Sequence, residues 1–212
     1  MTNEMNSKII SAMEWRYAVK VFDPTKKVSD ADLHTILEAA RLSPSSIGIE
    51  AWKFIVVNNP VIRAKLREAG FNQTKITDAS HLIIIARRTD ADGIVSELVS
   101  RTAKTQGKTE ADLAGLQKMA SGGFAGKGPL ADSWVASQAY IPLGIMIETA
   151  SLLGIDNGPM EGFDPAKVDE ILGLSAKNLK STTMLAIGYR GDDAFAKLPK
   201  TRRTFGEVVE MI

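Results

Sequence analysis

Apolar residues recur at helical spacing after Ser29, at Leu33, Ile36, Leu37 and Ala40. Ser29 can accept a hydrogen bond from the first turn, and the acidic residues at positions 30 and 32 suit the positive end of a helix. The pattern predicts a helix that ends just before the proline at position 44.

Three short apolar runs lack this spacing and predict buried strands, at Lys53–Val57, His81–Ala86 and Thr182–Tyr189. Pro60–Ala69, between the first two runs, has the spacing of a helix. Asp164 followed by a proline predicts the start of another short helix, because proline is tolerated in the first helical turn.

A long apolar segment begins at Asp132 or Ser133, runs to about Leu153 and ends at Gly154, which suits the left-handed turn after a helix. We expect Pro142 to kink or divide it. Its most apolar part is shorter than the roughly 20 residues that a bilayer requires. It is therefore predicted to be a core helix.

Residues 90–130 are polar and only weakly amphipathic, which predicts a mobile excursion of surface helix and loop. Elsewhere strands and helices alternate, which is typical of an α/β or α+β domain. We see no internal repeat. Residues 1–212 are expected to form a single domain.

Composition excludes several kinds of function. The formal net charge is +1, which gives no field that favours nucleic acid or an anionic membrane. There is no cysteine and there are only two histidines, so no metal site is expected. The first ten residues lack the pattern of a signal peptide, and a cytoplasmic location is expected.

Five separated fragments hold the candidate functional residues. They are Trp15–Phe22, Ser43–Trp52, Phe71–His81, Gly158–Phe163 and Leu198–Arg202. In their order and approximate spacing they resemble the nitroreductase family, and most closely the oxygen-insensitive NAD(P)H nitroreductases of enteric bacteria. The resemblance extends from about Ile9 to Arg202.

The resemblance implies a three-layer α+β fold, in which helices flank a central mixed, mainly antiparallel sheet. It also implies FMN as cofactor, NADPH or NADH as hydride donor, and a homodimer with the long apolar helix at its interface. The expected reaction is a ping-pong transfer of hydride through flavin N5 to small acceptors such as nitroaromatics or quinones. No side chain is expected to act as acid or base.

For the FMN phosphate, the positions that match the family are Arg16, Lys200 and Arg202. Arginine and lysine suit a compact dianion because they donate charge-assisted hydrogen bonds. Tyr17 and Ala18 continue the cofactor-binding segment that Arg16 opens.

A second set matches positions at the flavin ring. Lys20 and Lys75 match cations at the N1 and C2 carbonyl edge, where a fixed positive charge stabilises the reduced ring. Asn72 matches an amide that contacts the ring.

Three further parts of the chain match a loop near flavin N5, a loop that reaches the other subunit's flavin, and an aromatic residue over the substrate face. The loop near N5 corresponds to Pro159, Met160, Glu161 and Gly162. The loop that reaches the other subunit's flavin corresponds to Pro44, Ser45 and Ser46. The aromatic residue over the substrate face corresponds to Phe124, with Met119 as the alternative.

The chain departs from the family pattern at Ala18, where a serine is usual, and at the rim residues Gly48, Glu50 and Ala51. These changes leave open which acceptor is used, and the sequence does not choose between NADH and NADPH. Two alternatives remain: a flavin-binding dimer without turnover, and the same fold acting on pteridines, activated alkenes or free flavin.

Overall fold

The computed structural model describes residues 2–212, with side chains from residue 4 onward. Its centre is a four-stranded sheet of order β1-β2-β4-β3. The strands are β1 (Trp52–Val57), β2 (His81–Arg88), β3 (Asp156–Met160) and β4 (Leu179–Gly188). All three neighbouring pairs are antiparallel. The only parallel contact among the described residues is an isolated bridge between Ala18 and Asn157.

Helices surround the sheet. They are α1 (Thr2–Trp15), α2 (Asp30–Arg41), α3 (Pro60–Ala69), α4 (Lys75–Asp78), α5 (Ala91–Gln106), α6 (Ala114–Lys127), α7 (Ala131–Gln138), α8 (Tyr140–Leu152), α9 (Pro165–Leu172) and α10 (Phe205–Val208). The predicted caps are present: Ser29 accepts a hydrogen bond at the start of α2, and Asp164 does so at the start of α9.

The central strand β2 is buried on both faces, which explains its unbroken apolar run. Leu82 and Ile84 face the cluster that contains α3, α4 and α9 residues. Ile83 and Ile85 face the opposite cluster, with α2 and α8. Helices therefore cover both sides of the sheet, and the predicted three-layer α+β fold is confirmed.

The long apolar segment is divided, as its proline predicted. Helix α7 ends at Gln138, and α8 begins at Tyr140. Pro142 has no N–H to donate to the carbonyl of Gln138, so one helical hydrogen bond cannot form across the break. Gly154, with φ of 71°, follows the end of α8 in the left-handed region. No helix of the described residues is long and apolar enough to cross a bilayer.

Residues 90–130 were predicted to be surface helix and loop, and the structure shows how much of the segment is helix. Most of the segment is helical, as α5 and α6. These helices bury Ile94, Leu98 and Ala120 against Ile49 and Ala51. The sequence pattern was weak because the helices pack against a small satellite cluster and not against the sheet.

Four elements were not predicted: α1, α4, β3 and α10. Helix α1 leaves several of its apolar side chains exposed, including Met5 and Ile10, and β3 contains Gly158 and Pro159, which are poor strand formers. Strand β3 forms at the edge of the sheet, where it pairs with β4 on one side and bridges Ala18 on the other.

Candidate cofactor-binding site

The segment after α1 runs beside β3 and brings two of the predicted fragments together. The amide of Val19 donates a hydrogen bond of 3.1 Å to the Asn157 carbonyl. A Cβ at Gly158 would lie only 2.9 Å from the carbonyl oxygen of Val19. Glycine is therefore required at position 158 for this close approach, and Ala18 is held through its backbone.

Three predicted phosphate-binding cations lie together at the end of this segment. Burial, then the charge of Arg202, lowers the pKa of Arg16. Burial, then the charges of Arg16 and Arg202, lowers the pKa of Lys200. The Nε atom of Arg16 is buried and has no hydrogen-bond partner among the described residues. Neighbouring cations that repel one another and a buried donor that no protein group accepts are suited to binding an anion.

A fourth cation nearby, Arg190, is already neutralised. Its Nε and Nη2 atoms lie 2.8 and 2.6 Å from Oδ1 of the buried Asp156. Its guanidinium also stacks on Trp15 and Tyr17, at 4.4 and 4.8 Å from the ring centroids. Arg190 thus has a carboxylate partner, whereas Arg16, Lys200 and Arg202 form no ion pair among the described residues.

A groove of about 730 Å³ opens beside these cations, between α1 and residues 195–202. One wall of the groove is apolar and is formed by Trp15, Phe195 and Leu198. The groove is also lined by Lys200 and Arg202. A groove of about 790 Å³ elsewhere on the chain is lined by none of the predicted cofactor residues.

The Tyr17 hydroxyl already forms a hydrogen bond within the protein, which limits how Tyr17 could contact a cofactor. It donates a hydrogen bond of 2.9 Å to Oδ2 of Asp193. Burial, then this bond, raises the pKa of Tyr17. A cofactor contact from Tyr17 would therefore have to come from its backbone or ring.

Asp193 is a site residue that the sequence analysis missed. Its carboxylate also accepts hydrogen bonds from the amides of Lys20, at 2.8 Å, Val21, at 3.2 Å, and Phe195, at 3.0 Å. Burial works to raise the pKa of Asp193, but these bonds outweigh burial and hold it below the usual range. No motif marks this residue, because its partners are mainly backbone groups.

Lys20 and Lys75 form a second cationic pair. Burial, then the charge of Lys20, lowers the pKa of Lys75 to about 8. Lys75 is only 4% exposed and makes no ion pair among the described residues. It packs near Gly158, whose added Cβ would lie 3.6 Å from the Lys75 Cδ. The two predicted ring-edge cations are thus brought together beside β3.

Arg63 fixes the short helix that carries Lys75. Its guanidinium donates to the carbonyls of Ile76, at 2.7 Å, Ala79, at 2.6 Å, and Ser80, at 3.2 Å. Arg63 is buried, and these carbonyls are its hydrogen-bond partners. Sequence analysis missed this residue too, because an arginine on an amphipathic helix normally faces solvent.

The turn at Asn72 and the loop after β3 are tied to each other. Asn72 is exposed at φ of 60°, a left-handed conformation that asparagine tolerates. Gln73 Nε2 donates to the Gly162 carbonyl at 2.7 Å. In the same loop, the Tyr140 hydroxyl donates to Glu161 Oε1 at 2.7 Å. The predicted ring-contacting fragments therefore border one region.

Pro44, Ser45, Ser46 and Phe124 belong to a different part of the chain. The amide of Ser46 donates to Gln138 Oε1 at 2.8 Å. Phe124 packs edge-on against Trp134, with centroids 5.1 Å apart. No hydrogen bond or ion pair of the described residues joins these residues to the cation cluster.

The loop between them is strained. Ile47 has φ of 61°, an unfavourable value for a β-branched residue. Its side chain packs on α6 at Gly123, where an added Cβ would lie 2.9 Å from Ile47 Cδ1. The loop that follows Pro44 thus packs on the same helix as Phe124.

Comparison with known proteins identifies the fold family. Residues 13–189 match the model of the nitroreductase family. The chain belongs to this family. It is 37% identical to a Staphylococcus epidermidis protein provisionally named an NAD(P)H nitroreductase, over 99% of each chain.

Solved structures agree on the fold. A provisionally named nitroreductase from Bacillus subtilis matches with a TM-score of 0.86 and 18% identity, covering 98% of this chain and 100% of that one. A second, from Exiguobacterium sibiricum, was solved in complex with FMN. It matches with a TM-score of 0.78 and 22% identity, over 96% and 97% of the two chains. The predicted likeness to the enteric enzymes in particular stays a prediction.

Proposed function

We propose that the protein is an FMN-dependent oxidoreductase that takes hydride from NADPH or NADH and passes it to small acceptors, such as nitroaromatics or quinones, by a ping-pong mechanism. The observation that carries this proposal is the cluster of Arg16, Lys200 and Arg202, with its buried unpaired Nε. Family membership supports it, since the 37% identical relative carries the name NAD(P)H nitroreductase.

The residues of the site fit FMN. Its phosphate is a compact dianion, and three cations that form no ion pair among the described residues would hold it. Glu14 attracts Lys200, but burial and the neighbouring arginines outweigh it and lower the pKa of Lys200. Position 18 is an alanine, so the phosphate lacks one hydroxyl donor and depends more on these cations. The complex of the Exiguobacterium sibiricum neighbour with FMN agrees with this assignment.

When bound, FMN supplies a ring that accepts and returns a hydride at N5. The roles of this chain's residues follow from their charge and position. Lys20 and Lys75 provide fixed positive charge for the negative charge of the reduced ring, and burial makes Lys75 more effective because it limits solvent screening. Pro159 and Met160 lie at the end of β3, not in a loop, and Pro159 has no N–H. Backbone amides for the ring would therefore come from Met160, Glu161 and Gly162, while the Glu161 carboxylate accepts a hydrogen bond from Tyr140. No side chain is assigned as acid or base.

We also propose a homodimer, with each cofactor site completed by the partner. Two observations support it: Pro44, Ser45, Ser46 and Phe124 lie apart from the cation cluster, and apolar residues near the C-terminus are exposed, including Phe205 at 73% and Met211 at 91%. In this arrangement α5 and α6, within residues 90–130, cover the partner's acceptor side, and residues 1–212 act as one FMN-binding domain. A cytoplasmic location stays an expectation.

The phosphate assignment is tested by Arg202→Ala. Loss of a charge-assisted hydrogen bond, worth about 1.5–3 kcal/mol, should raise the Kd for FMN about 10-fold or more. The matched control is Arg203→Ala, which removes an exposed neighbouring arginine. Fluorescence titration of the apoprotein with FMN gives both constants. Equal affinity in the two variants would remove Arg202 from the phosphate site.

The acceptor is tested by steady-state rates with nitroaromatics, quinones, pteridines, activated alkenes and free flavin. Parallel double-reciprocal lines are expected for a ping-pong reaction. A preference for pteridines, alkenes or free flavin would keep the cofactor assignment and replace the acceptor.

A further inference from the structure

A single buried carboxylate links the two chain segments that hold the cation cluster. Asp193 accepts hydrogen bonds from the Tyr17 hydroxyl and the Lys20 and Val21 amides on one side. On the other side it accepts from the Phe195 amide, at the start of the turn that leads to Lys200. The linked segments are more than 170 residues apart in the sequence.

The negative charge of Asp193 is stabilised by these hydrogen-bond donors. It is 3% exposed and forms no ion pair with a lysine or arginine among the described residues. Four donors satisfy its two oxygens, so it needs no cation. It organises the surrounding backbone and leaves the charges of Arg16, Lys200 and Arg202 available to an anion.

We propose that Asp193 is the positioning residue of the FMN phosphate site, which it builds by fixing residues 16–21 against residues 194–202. This rests on the proposed function. Asp193 does not touch the phosphate. It acts through Tyr17 and the two segments, and so determines whether Arg16 from one segment converges with Lys200 and Arg202 from the other.

The test compares Asp193→Asn with Asp192→Asn. Both remove one negative charge at neighbouring positions, and Asp192 is exposed and outside the network. By Coulomb's law alone, either change should strengthen the binding of an anion to nearby cations. Positioning predicts the opposite sign for Asp193→Asn, because an amide NH₂ would face backbone donors. We expect its Kd for FMN to rise about 10-fold, and that of Asp192→Asn to stay equal or fall.

Riboflavin, which lacks the phosphate, separates positioning from general damage. Asp193→Asn should change the Kd for riboflavin by less than about 3-fold, so that the preference for FMN over riboflavin collapses. Equal losses for both ligands would show a merely structural role and overturn the proposal. Unchanged or tighter FMN binding in Asp193→Asn would overturn it as well.

Tyr17→Phe provides a second variant in case Asp193→Asn does not fold. It removes one of the four donors and introduces no new polar group. We expect a smaller loss of FMN affinity, about 2- to 5-fold, again with riboflavin spared. A Tyr17→Phe protein with the wild-type preference for FMN over riboflavin would contradict the proposal.

The failure of this inference is distinguishable from failure of the proposed function. Wild-type protein that binds neither FMN nor riboflavin would contradict the proposed function alone. In that case wild type, Asp193→Asn and Asp192→Asn are compared with inorganic phosphate as the ligand. Binding is measured as the rise in thermal unfolding temperature when phosphate is added. Asp193→Asn should lose the rise that wild type and Asp192→Asn show, and an equal rise in all three would overturn the role of Asp193.

Discussion

Lys75 shows how a single residue can be costly for the fold and useful for the site. It is a buried lysine beside Lys20 with no ion pair among the described residues, and its pKa is lowered to about 8 from 10.5. A buried cation without a counter-charge destabilises the folded apoprotein. Such a cation is retained where a negative charge must be stabilised.

We therefore expect Lys75→Met to stabilise the apoprotein at pH 7 by about 1–3 kcal/mol, while slowing reduction of the bound flavin. Between pH 8 and 10.5 the unfolded chain binds more protons than the folded one, so wild-type stability rises with pH across this window. The increase in the free energy of unfolding caused by Lys75→Met should therefore be smaller at pH 10 than at pH 7. Urea unfolding at pH 7 and pH 10, at fixed protein concentration, measures it.

The matched control is Lys65→Met, which removes an exposed lysine from α3 and should change stability little at either pH. A Lys75→Met protein less stable than wild type at pH 7 would mean that Lys75 has a counter-charge.

Some residues of the site could be predicted from the sequence, and others could not. Arg16, Lys200, Arg202, Lys20 and Lys75 were assigned because they match family positions, and the structure brings them into two clusters. Asp193 and Arg63 could not be assigned in this way. Both act on backbone groups, and a backbone partner leaves no side-chain pattern in the sequence.

At the scale of elements, α2, α3, β1, β2 and α9 were predictable because their apolar spacing or caps agree with their final packing. β3 was not, since its residues have poor strand propensity and its position is set by β4 and the segment around Ala18. Helix α4 likewise depends on tertiary contacts, because four residues make no stable helix alone.

Arg63 supplies that contact for α4. Arg63→Met should lower the free energy of unfolding by about 2–4 kcal/mol, because three buried carbonyls lose a charged donor. Arg67→Met, on the same helix, breaks one bond to the Thr77 hydroxyl and should cost less than about 1 kcal/mol. Chemical denaturation of both variants gives the comparison. Similar losses would show that the carbonyls find other donors.

At the scale of the whole molecule, the predicted site residues lie in two separate groups, and the C-terminal segment exposes apolar side chains. Phe205, Val208, Met211 and Ile212 are all more than half exposed. Exposed apolar residues in one segment indicate a surface that another chain covers. The sequence suggested a dimer through resemblance, but it did not show that the predicted site residues divide into two groups.

We predict that sedimentation at assay concentration finds a dimer and no active monomer. Val208→Asp should weaken the dimer and lower FMN affinity together, because a buried charge at the interface is costly. Ala64→Asp, at an exposed position on α3, is the control and should leave both unchanged. A fully active monomer would contradict the shared site.

The central claim is that this chain binds FMN and reduces it with a nicotinamide cofactor. The most direct measurement is the visible absorption spectrum of the purified protein, supplemented with FMN, before and after anaerobic addition of NADPH or NADH. We expect a yellow protein whose flavin absorption band bleaches within the time of one turnover with at least one donor. A yellow protein that neither donor bleaches would indicate a flavin-binding dimer without turnover. A protein that stays colourless after FMN addition and gel filtration would contradict FMN binding itself.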